Sequence, residues 1–231
     1  MAAQLPSENI RLRHLVTKIK KNRQGFEVSV IDAQEKVMRR FQTSQIIYAG
    51  QKHALPYVYP AEAQRFAENQ YAPWVVVNCV LRADVSEVSF WQNEISPRQA
   101  HFLGFIDSQS QHQPPDARRV LTGYFCFPPS YRRQLRDSAP VVPQLVRHAL
   151  DQMSAYFAIS PVAMEEAVEK VFVKVMGHAM PIPAPGYLFR DRNAERTEPN
   201  LVYAGVDNSR LPLLLEAIDS GLMAVKALSV N

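Results

Sequence analysis

The sequence predicts a mixed α/β or α+β fold, because short apolar strands fill its first half and helical patterns dominate its second half. In the first half, apolar residues alternate or run together over short segments. From residue 143 onward, they recur mainly at helical spacing. The chain of 231 residues, 47% of them hydrophobic, is long enough for one large domain or two small ones.

The first predicted elements form a hairpin. Strand 11–20 leads into a turn at 22–25, after which Phe26, Val28 and Val30 share one face of a second strand. The other early strands are predicted from apolar runs at 36–41, 45–49, 73–81, 89–93, 103–106 and 120–127. The run at 45–49 is apolar enough for burial on both faces.

Prolines mark the predicted helix starts. Pro60 begins a short helix, and Pro143 stands in the first turn of a longer one. Ser160 is an N-cap for a third helix, which has Pro161 in its first turn.

The last predicted elements are a strand at 170–176, a rigid proline-containing loop at 177–186, a strand at 200–205 and a helix at 211–228. The helix is amphipathic. Its inward face is expected to use Leu214, Ala217, Ile218, Gly221, Leu222 and Val225.

Glycine is scarce, and its spacing excludes the familiar nucleotide loops. The closest two of the eight glycines, Gly177 and Gly186, are nine residues apart. Both G-x-G-x-x-G and G-x-x-x-x-G-K-[ST] need two glycines within five positions. A nucleotide function would therefore rest on another element or on another polypeptide.

The formal charge is +4, and basic residues concentrate early, at Arg11, Arg13, Lys18, Lys20, Lys21 and Arg23. Such a stripe can contact phosphates, but it is more often the solvated face of an edge strand. We therefore expect no nucleic-acid partner, and a basic nucleic-acid binder is the alternative.

The cysteines and the apolar runs predict a cytoplasmic protein. Cys79 and Cys126 lie in apolar runs without a C-x-x-C motif, which indicates two buried free thiols in a reducing compartment. No run approaches the roughly 18–20 apolar residues that span a bilayer, so no membrane span is expected. Residues 1–10 lack a signal-peptide pattern.

Metal and nucleophile motifs are absent from the sequence. The six histidines form no H-x-x-x-H or E-x-x-H pair, so no metal site is expected. There is also no G-x-S-x-G motif. The sequence assigns no catalytic residue.

The tail carries the clearest signal. Its strand and turn lead to a helix N-terminus, where unpaired N–H groups suit an anionic or carbonyl ligand edge. Gly205 permits close approach to the backbone, and Asp207 can accept hydrogen bonds from hydroxyl groups. On physical grounds alone, an ordinary strand–turn–helix without ligand is the better interpretation.

The same tail resembles the flavin-binding C-terminal segment of the flavin-containing amine oxidase family. The resemblance lies in Ala204-Gly205-Val206-Asp207, followed by Glu216-Ala217-Ile218-Asp219-Ser220-Gly221. Weaker similarities follow in the family's order: Val16-Thr17-Lys18-Ile19, Gly25-Phe26-Glu27-Val28, Ser44-Gln45-Ile46-Ile47-Tyr48-Ala49, Tyr71-Ala72-Pro73-Trp74, and Gly177-His178-Ala179-Met180. Gln51 replaces a proline that the family carries.

This resemblance implies an FAD-dependent oxidoreductase. It implies a partial FAD-binding domain at 1–52 and 177–231 and a mixed-sheet substrate domain at 53–176. The FAD-binding residues would be Val16 near adenine, Ala204, Gly205 and Asp207 at the ribityl–pyrophosphate part, and the backbone at Leu213 and Leu214 facing the isoalloxazine ring. Trp74, Trp91 and His178 would line a small-molecule substrate site; core aromatics and a loop histidine are the alternatives.

The family's N-terminal Rossmann βαβ unit, which carries the pyrophosphate loop, has no counterpart in this sequence. The FAD site implied here is therefore incomplete. Either a second, Rossmann-bearing chain supplies the remainder, or the sequence is a truncated product. The competing hypothesis is a non-catalytic interaction subunit that pairs with such a chain.

Overall fold

The computed structural model describes residues 5–82, 89–95, 101–111, 118–137, 139–186 and 198–229. The chain divides into unit 1, Met1–Asn69 with Pro181–Asn231, and unit 2, Gln70–Met180. The unit boundaries therefore lie downstream of the predicted domain boundaries at 52/53 and 176/177. The functional roles assigned to the two domains stay predictions.

Unit 1 begins with an antiparallel three-stranded sheet of β1 (His14–Asn22), β2 (Gly25–Asp32) and β3 (Val37–Thr43). The predicted hairpin is confirmed, and Phe26 and Val30 face the core from β2. Gly25 is required in the turn, since its φ is +120° and a Cβ there would lie 2.3 Å from the carbonyl oxygen of Thr43.

The second sheet of unit 1 is a parallel pair, β4 (Ile46–Tyr48) and β10 (Leu201–Tyr203). Between them in the chain come a 3₁₀ turn at Lys52–Ala54, the short α1 (Leu55–Val58) and a 3₁₀ helix at Pro60–Phe66. Their buried apolar side chains pack with those of β10. Burial of β4 on both faces was wrong, because Ile47 is 40% exposed.

Helix α5 (Leu214–Ser229) closes unit 1, and its predicted inward face was wrong. Leu214 is 75% exposed, whereas the buried residues of the helix are Ser220 and Ala224. Ala224 packs against Val202 and Ala204 at β10. Because apolar residues occur around much of this helix, periodicity did not identify the face where small side chains permit close approach.

Unit 2 contains a five-stranded sheet in the order β6–β7–β8–β5–β9. The strands are β5 (Tyr71–Arg82), β6 (Gln92–Glu94), β7 (Phe102–Asp107), β8 (Arg118–Cys126) and β9 (Val168–Pro181). Strand β9 is longer than predicted, so residues 177–181 belong to a strand rather than to the rigid loop.

Among the described residues of unit 2, the α-helices are α2 (Arg132–Arg136), α3 (Val142–Tyr156) and α4 (Pro161–Ala167). The predicted N-cap of α4 is confirmed, since the Ser160 hydroxyl accepts the N–H of Ala163 at 3.1 Å. Met153 of α3 and Val75 and Val77 of β5 belong to one buried cluster. Alternate residues of β5 thus form the core face of the sheet.

The two cysteines differ in environment. Cys79 is buried as predicted, and burial raises the pKa of its thiol to about 12. Burial of Cys126 was wrong: it is half-buried and pairs with Trp74 across β5 and β8. Within the described ranges, no helix has the length and apolar character needed to cross a membrane.

Candidate functional site

The carboxyl ends of β4 and β10 form the candidate site of unit 1. Ligands of open α/β sheets bind beyond the carboxyl ends of parallel strands. Here the two strands end side by side, and the N–H of Ala204 donates to the carbonyl of Tyr48 at 3.1 Å. We call the polar residues gathered beyond this point the strand-end cluster: Lys52, Asn69, Asp207, Asn208, Arg210 and Ser220.

Lys52 lies at the centre of the strand-end cluster and is only 2% exposed. Its Nζ donates to the carbonyl oxygens of Ala204 at 2.5 Å, Gly50 at 3.1 Å and Tyr48 at 3.3 Å. One ammonium group thus holds carbonyls at the ends of both strands. Burial lowers the pKa of Lys52 to about 8, although the charge of Asp207 opposes this shift.

Asp207 joins the two chain segments of the cluster. Its Oδ2 accepts the backbone N–H of Lys52 at 2.6 Å. Its backbone carbonyl accepts from Asn69 Nδ2 at 2.9 Å, and Asn69 Oδ1 accepts from Arg210 Nε at 2.9 Å. The carboxylate is buried and held in a fixed orientation.

Gly205 and Asn208 are bound to α5 through Ser220. The Ser220 hydroxyl oxygen accepts the N–H of Gly205 at 3.1 Å and Nδ2 of Asn208 at 3.0 Å. Gly205 has a φ of +107°, a region that favours glycine. Asn208 Oδ1 is buried and accepts no hydrogen bond from the described residues, so the cluster contains an unused buried acceptor.

Replacing Ser220 by alanine is expected to lower the free energy of unfolding by about 1–3 kcal/mol, because the half-buried N–H of Gly205 and the buried Nδ2 of Asn208 lose this acceptor. Urea denaturation followed by circular dichroism measures this change. Ser229→Ala is the control, since Ser229 lies on the same helix but is exposed. Equal effects of the two substitutions would contradict this role of Ser220.

The start of α5 is open to solvent. Leu213 and Leu214, predicted to face a flavin ring, are both exposed. The first N–H groups of a helix have no acceptor within the helix, and its dipole is positive at that end. The N–H of Leu213 donates to the carbonyl of Leu211 at 2.8 Å, so it is the backbone from Leu214 onward that can bind a carbonyl edge or a negative charge.

Val16, predicted near adenine, lines a groove of about 450 Å³ in unit 1. The walls are largely apolar, with Ile19 and Val28 from the first sheet and residues 46–51 at the end of β4. The structure therefore brings Val16 beside the segment that leads into Lys52. The chain segment that follows β10 provides the other side of the strand-end cluster, and it carries Ala204, Gly205 and Asp207.

The two tryptophans of unit 2 lie apart. Trp74 is half-buried on the sheet face opposite the core, with its ring edge-on to Tyr124 at 5.8 Å. Its buried Nε1 has no hydrogen-bond partner among the described residues. Trp91 precedes β6, which β7 and β8 separate from β5, and it is 52% exposed. The structure does not bring the two together.

His178 lies in strand β9, so the loop-histidine alternative was wrong. Its ring is edge-on to Tyr71, with centroids 5.6 Å apart. It lines a cleft of about 810 Å³ together with Arg132, Arg133 and Arg136 of α2. Arg132 connects these elements, because its Nε donates to the carbonyl of Gly177 at 2.8 Å and its Nη2 to that of Tyr71 at 2.6 Å.

Sequence reasoning missed Lys52 and the arginines of α2. Lys52 follows an apolar strand, but nothing in its surroundings distinguishes a buried lysine from a solvated one. Ser220 belongs to the stretch that carries the family resemblance, yet its role was not assigned. In the part of the chain that the structure describes, no three His, Cys, Asp or Glu residues are grouped as metal ligands would be.

Comparisons with known proteins identify the fold. No family model and no curated protein matches the chain. Cyclohexylamine oxidase from Brevibacterium oxydans IH-35A is similar in structure with a TM-score of 0.66 and 16% identity, over 99% of this chain and 51% of that chain. A putrescine oxidase mutant with redesigned cofactor binding is similar with a TM-score of 0.61 and 12% identity, over 94% and 49%. The chain therefore has the fold of about half of an amine oxidase chain.

Proposed function

We propose that this chain is the C-terminal part of an FAD-dependent oxidoreductase of amine-oxidase type. It contributes the flavin-ring half of the cofactor site and the substrate domain. The observation that carries this proposal is the meeting of β4 and β10 at a buried polar cluster, next to Gly205 in the left-handed region. The structural likeness to two amine oxidases supports it.

The residues present fit the ring and ribityl parts of FAD. The open start of α5 offers the N–H group of Leu214 and a positive dipole to the carbonyl edge of the ring, while the N–H of Leu213 already donates to the carbonyl of Leu211 at 2.8 Å. The oriented carboxylate of Asp207 suits the hydroxyl groups of the ribityl chain. The apolar groove at Val16 suits an adenine ring.

The pyrophosphate part has no match in this sequence, because no glycine-rich phosphate loop is present. In this proposal, those contacts come from a Rossmann-bearing segment. We therefore include such a polypeptide as a partner in the proposal.

Bound FAD would supply hydride acceptance from a C–N or C–C bond of a small molecule. The residues of this chain orient and shield the reactants. In unit 1, the positive end of the α5 dipole would stabilise the ring edge. In unit 2, Trp74 and Asn78 on the half-buried face of β5 are proposed to line the substrate. No residue is assigned as acid or base.

The test is flavin content of the chain, expressed alone and together with a Rossmann-bearing polypeptide of the proposed kind. We expect a yellow complex whose flavin absorbance, relative to protein, falls in Gly205→Ala. The reason is that alanine at a φ of +107° is strained by about 1–3 kcal/mol.

Gly221→Ala is the matched control for Gly205→Ala. Gly221 lies in α5 with nothing within 4 Å of an added Cβ, so its substitution is expected to keep the flavin and to stabilise the helix by about 0.5–1 kcal/mol. A colourless protein, both alone and in the complex, would refute the flavin proposal.

The alternative, a non-catalytic interaction subunit, is favoured by the apolar surface of α5. Leu215 is among several large apolar residues of this helix that are exposed, and a surface of this kind is typical of an interaction site. A stable complex that contains no flavin would support this alternative over the oxidoreductase.

A further inference from the structure

The cleft between α2 and β9 in unit 2 is strongly basic. Arg132, Arg133, Arg136 and His178 line it, and none of its lining residues is aspartate or glutamate. Its volume of about 810 Å³ is large enough for a small molecule. The cleft lies wholly within unit 2.

The three arginines have different environments. Arg132 is fixed by its two hydrogen bonds to the carbonyls of Gly177 and Tyr71. Arg133 and Arg136 are exposed, and the structure gives neither of them an ion pair with a described residue. Since they are three residues apart on one helix, they lie on the same side of it.

Without a bound anion, the grouping of Arg132, Arg133 and Arg136 on α2 is electrostatically unfavourable. Like charges three and four residues apart on a helix repel one another. A concave site with charges of one sign also concentrates the electrostatic potential, which attracts counter-ions. Leu135 and Val175 provide apolar walls, which strengthen charge interactions nearby.

The guanidinium groups of the cleft indicate which chemical class of ligand it binds. Their planar donors match the oxygens of carboxylate and phosphate in paired hydrogen bonds. We infer that the cleft lined by Arg132, Arg133 and Arg136 binds a small molecule through an oxyanion group, either a carboxylate or a phosphate. This site goes beyond the proposed function and does not depend on flavin.

The test is isothermal titration calorimetry of the full chain with sodium phosphate and with sodium succinate, at an ionic strength held constant with sodium chloride. We expect saturable binding of at least one anion. The double variant Arg133→Gln/Arg136→Gln should raise the Kd at least tenfold. The tighter of the two anions identifies the group as phosphate or carboxylate.

Two further variants serve as controls. Arg147→Gln removes one exposed arginine of α3 outside the cleft and should leave the Kd within about twofold of the wild-type value, since distant exposed charges are largely screened. Arg133→Lys/Arg136→Lys keeps the charge but loses the paired donors, and should weaken binding less than the glutamine variant.

A labelling experiment on the wild-type chain avoids any folding defect of the variants. Phenylglyoxal modifies arginine, and mass spectrometry of peptides should show slower labelling of Arg133 and Arg136 with the bound anion than with chloride. No saturable binding of either anion, or equal Kd values for the cleft variant and Arg147→Gln, would overturn the inference.

Discussion

Replacing Arg119 by methionine is expected to lower the free energy of unfolding of unit 2 by about 3–5 kcal/mol, because a buried charge loses its partner. Arg119 and Asp107 are each 1% exposed. Both Nε, at 3.0 Å, and Nη2, at 2.5 Å, donate to Oδ2 of Asp107. The guanidinium also lies 4.9 Å from the centroid of the Phe157 ring.

Urea denaturation at neutral pH measures this loss. Arg147→Met is the control, because Arg147 is exposed and belongs to the same unit. Adding Asp107→Asn to Arg119→Met should recover part of the lost stability, since no carboxylate is then left buried alone. A loss below about 1 kcal/mol, which is the value of an exposed pair, would contradict the role assigned here.

The ion pair between Arg119 and Asp107 also makes the stability of unit 2 depend on pH in the acid range. Burial would raise the pKa of Asp107, but hydrogen bonds from Arg119 and from the N–H of Ser89 hold it below the usual value of 3.8. The folded pKa is thus lower than the unfolded one, so this stabilisation is present above pH 4 or so and is lost as pH falls through the folded value. The stability difference between wild type and Arg119→Met should therefore narrow as the pH falls below about 4.

Lys52→Met is expected to lower the free energy of unfolding of unit 1 by about 3 kcal/mol at pH 7, because carbonyl groups at the ends of β4 and β10 lose a buried donor. The carbonyls of Gly50 and Ala204 are the main ones affected. Urea denaturation measures the loss. Lys18→Met, at an exposed position of β1, is the control.

The stability difference between wild type and Lys52→Met is also expected to depend on pH. The folded pKa of Lys52 is about 8, below its ordinary value of 10.5, so the unfolded chain binds more protons between these values. Wild-type stability should therefore gain up to about 1.4 kcal/mol per pH unit above pH 8 from this residue. The difference between wild type and Lys52→Met should widen from pH 8 to 9.5. A constant difference would show that the burial of Lys52 does not shift its pKa.

The elements that sequence reasoning predicted are those fixed by local chemistry. The turn ending at Gly25 needs a positive φ, and Ser160 followed by Pro161 combines an N-cap with a first-turn proline, both local signals of a helix start. The burial of alternate residues along β5 likewise follows from strand geometry. Such features depend on a few neighbouring residues, which the sequence displays directly.

The residues that sequence reasoning missed are buried through contacts with partners that are distant in the sequence. Lys52 is buried because β10, which is remote in sequence, places Ala204 and Asp207 beside it. Arg119 lies next to another arginine in the sequence and resembles a surface residue until β7 brings Asp107 within reach. The strand–turn–helix pattern alone singled out Gly205 and Asp207, while their assignment to FAD, and that of Val16, came from the family resemblance.

The discontinuity of unit 1 has a kinetic consequence. Its two stretches flank unit 2, so Lys52 and Asp207 pair across 155 residues of chain. Closing so long a loop is costly in conformational entropy. Unit 2 begins with β5 and ends with β9, which are neighbouring strands, and Arg132 holds Tyr71 near Gly177. Once unit 2 has folded, Tyr71 and Gly177 near its two ends are held together, which shortens the effective loop between Lys52 and Asp207. Folding of unit 2 therefore speeds the pairing of β4 with β10 in unit 1.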